Sequence, residues 1–360
     1  MNEMGKKIQV YSLLFFLIIL ALILYALILD FSAGRSAGTS SDLDIKRSGV
    51  ELPADDSPHP GSGSEWWFFV GHLRDENGNE YGYQLVFRIR QGIYEPFKGI
   101  RFYKYCEADF TVTDEKNRRF FAETSRLPPF SFYGINRNGL KIKAGKALIE
   151  ALDEGKYSIV YKGKDYSVAF ILIPEKSPMI QGDNGWVTGN AGCGLFYTSQ
   201  TRLGTSGTLS VNKEKLSVNG FSWMDHQWGD CDMSDTRWNW LCVQLDNGDD
   251  LMVYELFPGA KMADLFRSDG SRERTSDLLL VPRTSWKSPA TGISYPSGWH
   301  LEIPPLEISL DIEPVLPDQE VAVTHSLRDS YWEGKCRVSG TIGGEPSNGR
   351  AYVELVGYCR

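Results

Sequence analysis

The chain has no basic block. Its 38 Lys and Arg are outnumbered by 46 Asp and Glu, for a formal charge of −8 over 360 residues. Without clustered positive charge to displace counterions, nucleic acid is excluded as the main partner. The usual catalytic signatures are missing as well. No GxSxG, HExxH, Walker A motif or strand–helix GxGxxG occurs, which leaves ordinary hydrolase, metalloprotease and nucleotide chemistries without support. The six cysteines contain no CxxC, and only Cys231 and Cys242 lie close together. No metal site and no cofactor are therefore expected. The even cysteine count leaves both disulfides and buried free thiols open. Beyond the N-terminus, no stretch sustains a helical period for three turns.

What the chain does have is aromatic residues and turn formers. Ten Trp, 17 Tyr and 18 Phe stand beside 36 Gly and 17 Pro, a mixture that favours strands joined by tight turns. The one long apolar run is Ile8–Leu29, free of charge and preceded by Lys6 and Lys7. As a helix it is roughly 30 Å long, the thickness of a bilayer core. Residues 1–35 are read as a cytoplasmic tip and transmembrane anchor, in preference to a cleaved signal. The paired lysines before the run place the rest outside the cytoplasm. The expected location is the cell membrane, single-pass, with the globular part extracytoplasmic. Residues 36–63, rich in Ser, Gly, Asp and Pro, read as a flexible tether.

From Glu65 onward, period-two patterns dominate. Trp66–Val70 is a strand, Asn77-Gly78 marks a hairpin, and Tyr81–Ile89 returns with Tyr81, Tyr83, Leu85, Phe87 and Ile89 on one face. A dozen further runs follow, from Ala108–Thr113 to Arg350–Tyr358, with turns at Lys213-Glu214, Asn247-Gly248 and Ser268-Asp269-Gly270. Many short strands at near-regular spacing predict an all-β protein of barrels or sandwiches.

Three blocks are distinctive: Glu65–Leu73 (EWWFFVGHL) with the hairpin Tyr81–Phe87, Gly220–Asp230 (GFSWMDHQWGD), and Tyr331–Gly334 with Tyr352–Tyr358. Together they resemble the family of carotenoid 1,2-hydratases and AttH-like proteins over residues 60–360. The resemblance implies two packed lipocalin-like β-barrels, read here as 64–232 and 233–360, with a pocket for an extended, unsaturated, apolar ligand. Members include alkene hydratases, pericyclases and proteins of no known activity.

Hydrating an unactivated alkene needs a strong acid and something to stabilise a tertiary cation; aromatic faces do the second. Asp225, His226 and Trp228, with Trp223 before them, place acid, base and π-face together. On a strand Asp225 and Gln227 share one face, and His226 and Trp228 the other. His226 and Trp228 are thus expected to point into one cavity, with Asp225 orienting His226. Both match positions important in the hydratases. A structural alternative stands beside this: Trp residues as barrel core, and His226 as a braced buried histidine. The resembling hydratases carry Tyr and, two residues on, Asp on a later strand. Here Tyr254 fits, but Leu256 replaces the acid unless a one-residue slip brings in Glu255. Trp66 and Trp67 point to opposite faces, so at most one lines the cavity. Glu65, at the strand start, is expected to pair with an arginine, and His72 lies at the strand's far end. Catalytic candidates are His226, Asp225, Tyr254 and Glu255; ligand-binding candidates are Trp223, Trp228, Trp66 and Trp67. The leading functional expectation is a carotenoid 1,2-hydratase-like lyase, or a related cyclase, acting on an isoprenoid or polyene. The alternatives are a non-catalytic carrier of a lipid or isoprenoid at the membrane surface, and a structural role in the cell envelope.

Overall fold

The computed structural model describes residues 49–59, 62–90, 94–97, 100–102, 105–127, 134–135, 139–188, 193–231, 233, 236–323 and 326–359. The expected anchor, Ile8–Leu29, lies outside them. Among the described residues no helix is long and apolar enough to cross a membrane.

The protein is all-β, and among the described residues every strand pairing is antiparallel. A first sheet of 13 strands follows the order Arg119–Leu127, Tyr105–Asp114, Glu80–Arg90, Ser64–Asp75, Glu214–Gly229, Gly194–Val211, Tyr166–Pro174, Tyr157–Lys162, Ala147–Ala151, Lys141–Ala144 and Gly134–Ile135, with two short strands on Gly194–Val211. A second sheet of 10 strands runs Arg272–Thr275, Lys261–Phe266, Asp250–Phe257, Arg237–Leu245, Glu345–Val356, Tyr331–Ile342, Ile308–Pro314, Ser294–Ile303 and Leu279–Lys287, with Glu320–Val321 beside Tyr331–Ile342. Both sheets curl around their own apolar side chains, as period-two alternation with one inward apolar face requires. The first encloses Trp67, Phe69, Leu85, Phe87, Phe110 and Tyr161 among others. The second encloses Leu241, Val253, Leu265, Trp299, Leu310 and Trp332.

A third cluster forms where the sheets meet: Phe68, Val70, Val86, Tyr197, Trp223, Trp240, Cys242, Met252 and Tyr352. At about 1.5–3 kcal/mol for each large side chain taken from water, this is a substantial share of the adhesion between the sheets. Gly82 makes one close approach possible, since a Cβ there would stand 2.3 Å from the Tyr352 hydroxyl. Polar clasps accompany the apolar ones: Thr113 donates to Gln319 at 2.8 Å, Gln244 to the Thr201 carbonyl at 2.7 Å, and Arg202 pairs with Asp250 at 2.7 Å.

Residues 49–59 differ from the tether reading. The Ala54–Asp56 turn packs onto the first sheet, Asp56 is buried, and Trp67 Nε1 and the Tyr157 hydroxyl both donate to that residue. The cysteines divide between the two open readings. Cys193 and Cys231 form a disulfide, whereas Cys106, Cys242 and Cys336 are buried free thiols.

Candidate active site

The Glu214–Gly229 strand is buried on both faces across Ser222–Asp225 and His226, so its alternation aims neighbouring residues at different interiors. The Ser64–Asp75 strand sits opposite, pairing Phe68 with Asp225, Trp67 with His226 and Trp66 with Gln227. On its other side Gly194–Val211 pairs Ser199 with Asp225 and Tyr197 with Gln227.

Asp225 faces a cavity of about 790 Å³ between the sheets, with Gln227, Trp66, Phe68 and Tyr197 on the same wall. The facing wall comes from the second sheet. There, Tyr254, Trp240 and Glu354 form one cross-strand row, and Leu256, Trp238 and Val356 the next. Asp225 is 2 % exposed and receives three hydrogen bonds: from the Tyr197 hydroxyl at 2.5 Å, Ser199 at 2.6 Å and Trp223 Nε1 at 2.7 Å. The Tyr197 hydroxyl accepts in turn from Trp240 Nε1 at 3.0 Å, which ties the acid to the second sheet. Burial outweighs these donors and pushes the Asp225 carboxyl up to about 7. Near neutral pH it therefore populates both the proton-donating and the proton-accepting form.

Glu354, which no sequence pattern singled out, supplies a second carboxyl on the facing wall. Trp238 Nε1 donates to it at 2.7 Å, and burial raises its pKa. The sequence signal was available: Ala351, Val353 and Leu355 alternate inward, so Glu354 must face the other way, toward the interface.

His226 lies on the opposite face, wholly buried, and is not part of this cavity wall. The shared face of His226 and Trp228 holds, but it turns into the first barrel, because period-two alternation sends Asp225 the other way. Asp225 accordingly does not orient His226. That role belongs to Glu65, whose Oε1 accepts from His226 Nε2 at 2.9 Å and from His59 Nδ1 at 2.8 Å. Glu65 thus pairs with two histidines, not with an arginine. His226 stacks on Trp67 at 4.5 Å between centroids, and His59 stacks on Trp228 at 4.1 Å. Burial lowers the His226 pKa despite Glu65. For His59 burial works the same way but is overcome by Asp55 and Glu65, which raise it to about 9. His59, Glu65 and His226 are of the residue types that bind metals, and their ligand atoms lie within 4.8 Å of one another.

Of the other candidates, Trp66 and Tyr254 line the cavity. Trp223 supports Asp225 from the same face, while Trp67 and Trp228 sit with His226. Glu255 shares a face with Asn239, which donates to it at 3.0 Å, and turns away from the cavity. Leu256 holds the cavity-facing position, so the register slip does not occur. The His72 ring lies tilted against Tyr352, 5.1 Å between centroids, at the edge of a smaller pocket.

Two barrel-like antiparallel sheets joined along an aromatic, acid-bearing cavity define a two-barrel, lipocalin-like protein. Within that class the chain belongs to the AttH-like family, whose sequence profile matches residues 45–358. Its fold resembles a structure assigned to AttH from Nitrosomonas europaea, with a TM-score of 0.76 and 24% identity over 86% of this chain and 97% of that one. Kievitone hydratase from Nectria haematococca gives a TM-score of 0.71 at 17% identity, covering 90% and 95%. In sequence, kievitone hydratase of Fusarium solani subsp. phaseoli is 23% identical over 190 residues, or 47% of this chain. That match takes in 53% of the relative, so the chain spans about half the length of the curated relative it matches.

Proposed function

We propose that the protein is a hydratase-type lyase that adds water to an alkene of an extended, apolar isoprenoid or polyene. The observation that carries this reading is Asp225: a buried carboxyl poised at about 7 on the wall of an aromatic cavity large enough for such a chain. The Asp225 carboxylic acid gives its proton to one alkene carbon. The tertiary cation so formed lies among Trp66, Phe68, Trp240 and Tyr254. A water oxygen then bonds to the cation, and its surplus proton returns to the Asp225 carboxylate. If a second alkene attacks the cation first, a C–C bond closes a ring and the charge moves to the ring carbon, which loses a neighbouring proton to the Asp225 carboxylate to give an alkene. His226 acts as a positioning residue, holding the Glu65 strand start and Trp67 behind the cavity wall. The kievitone hydratase likeness supports the reaction class; a carotenoid is one substrate that suits it. An N-terminal anchor would present the cavity to ligands drawn from the bilayer, and the Cys193–Cys231 disulfide fits an oxidising, extracytoplasmic setting.

A second reading, a carrier of such a ligand, draws on Leu256, which leaves the Tyr254 strand without an acid facing the cavity. Incubating the full-length protein with acyclic isoprenoids and kievitone in H₂¹⁸O separates the two. Incorporation of label into a tertiary alcohol supports the lyase; saturable binding without label supports the carrier.

A further inference from the structure

We propose that the cavity between the sheets is a binding site for hydrophobic organic cations, a prenylated ammonium being the ligand class it fits. This rests on reading the cavity as the functional site. Its walls are aromatic on both sides: Trp66 and Phe68 on the first sheet, Trp238, Trp240, Tyr254 and Tyr331 on the second. Ring faces of this kind attract bulky, weakly hydrated cations.

The charge balance of the cavity has the same sign. Among the described residues lining it, six are Asp or Glu (65, 107, 225, 230, 329 and 354) and two are Arg (88 and 328), with no Lys or His. Arg88 is already committed: it pairs with Glu107 at 3.2 Å and with Asp109 more closely, and lies 5.2 Å from the Tyr331 ring centroid. Glu65 is compensated on the far face by the charged His59 and also accepts a hydrogen bond from His226. Behind the wall, Glu333 stands opposite Glu354 on the neighbouring strand, is 0 % exposed, and has no partner for Oε1. A buried carboxyl group in this position either keeps its proton or takes a cation.

The occupant is organic and not a metal ion. Both Asp225 oxygens already accept protein hydrogen bonds, Glu354 accepts one, and the space far exceeds the tight oxygen shell that Ca²⁺ or Mg²⁺ requires. An anionic head would lie against the Asp225 and Glu354 carboxyls, whose hydrogen-bond donors are all neutral groups. An ammonium also resembles, in charge and shape, the carbocation of the proposed hydration, so the features that would stabilise the intermediate hold the ligand.

The test uses the full-length chain in nanodiscs of zwitterionic lipid, followed by tryptophan fluorescence and calorimetry. The probes share one tail: geranyltrimethylammonium, geranyl methyl ether and geranyl phosphate. The cation is expected to bind about ten-fold or more tightly than the ether, with the phosphate weakest. Glu354→Gln, nearly isosteric and checked for folding by circular dichroism, is expected to remove most of that preference, weakening the cation far more than the ether. Equal affinities for cation and ether overturn the proposal and leave a site for neutral ligands. A preference that survives in folded Glu354→Gln also overturns it. Failure of all three probes to bind overturns the reading of the cavity as the functional site, and this proposal with it.

Discussion

Glu333 and Glu354 face each other directly across the Tyr331–Ile342 and Glu345–Val356 strands, in the seam between the two sheets. Trp238 is the donor to Glu354, while Glu333 has only a long contact of 3.4 Å from Gln84. Burial pushes both carboxyls up, Glu333 the further, so the folded protein retains protons that the unfolded chain releases. Stability tied to this pair is therefore greatest at acid pH and falls as pH rises from the ordinary carboxylate range toward the folded values. Glu333→Gln is expected to stabilise the protein at pH 7.5 by about 1–2 kcal/mol, or roughly 3–6 °C in melting temperature. The gain should vanish at pH 4. A lower melting temperature at both pH values would show that Glu333 is a compensated charge.

Asp225→Asn keeps the size of the side chain but removes the transferable proton. Turnover is expected to fall by about 10²–10⁴ while ligand affinity stays within a few-fold, since proton transfer is felt mainly in the transition state. With the folded carboxyl at about 7, the proton-donating form is lost as pH rises through that value. The rate should therefore decline on the alkaline side of neutrality in the wild type. Tyr197→Phe removes one donor to the carboxylate and should move that limb to higher pH. A limb unmoved by Tyr197→Phe would assign it to another group.

The strand architecture was legible because one face of most strands is buried and the other is not. The Tyr166–Pro174 strand alternates from Tyr166 through Leu172 and shows its inward side at once. The same signal fails along Ser222–Trp228, where one face fills the first barrel and the other meets the second sheet. Polarity no longer marks the outside there, so the sequence marks both Asp225 and His226 as site candidates but points His226 at the cavity, whereas the structure places Asp225 on its wall. The partners that give Asp225 its character, Tyr197, Ser199 and Trp240, are fixed by strand order and sheet packing, which no local pattern encodes. The packed segment 49–59 is hidden for a different reason: its composition is that of a linker, and its order comes from long-range contacts, Asp56 with Tyr157 and His59 with Trp228.

Cys231 lies on the cavity wall just beyond the Glu214–Gly229 strand, and its bond to Cys193 closes a loop across the adjacent strand. Cys193→Ser/Cys231→Ser is expected to lower stability by about 2–4 kcal/mol through the freer unfolded chain. The loss should be matched by adding reductant to the wild type and should be absent when reductant is added to the variant. Mass spectrometry with a thiol-alkylating reagent checks the assignment: a native protein alkylated at both positions would remove the bridge.

The last prediction concerns the histidines on the far face of the site. Glu65 Oε1 accepts from both His59 and His226, and the backbone N–H of His59 donates to the same carboxylate at 2.9 Å. His59, with its pKa raised to about 9 by Asp55 and Glu65 against the effect of burial, is charged at neutral pH and clamps segment 49–59 to the first barrel. The sign follows from the folded value lying above the unfolded one. The stabilisation is complete below about 6.5 and disappears as pH rises through about 9. Hydrogen exchange at Asp55 and Ser57 should therefore accelerate between pH 7 and 10 beyond the intrinsic base-catalysed trend, while strands of the second sheet follow that trend alone. His59→Gln should remove this pH dependence. His226→Ala, which strips a partner from a buried carboxylate and leaves a void beside Trp67, is expected to cost about 2–4 kcal/mol. A positioning role also predicts that His226→Asn recovers part of both stability and turnover, because an amide can still donate toward Glu65. A variant with wild-type stability but no turnover would instead place the His226 ring in the chemistry itself.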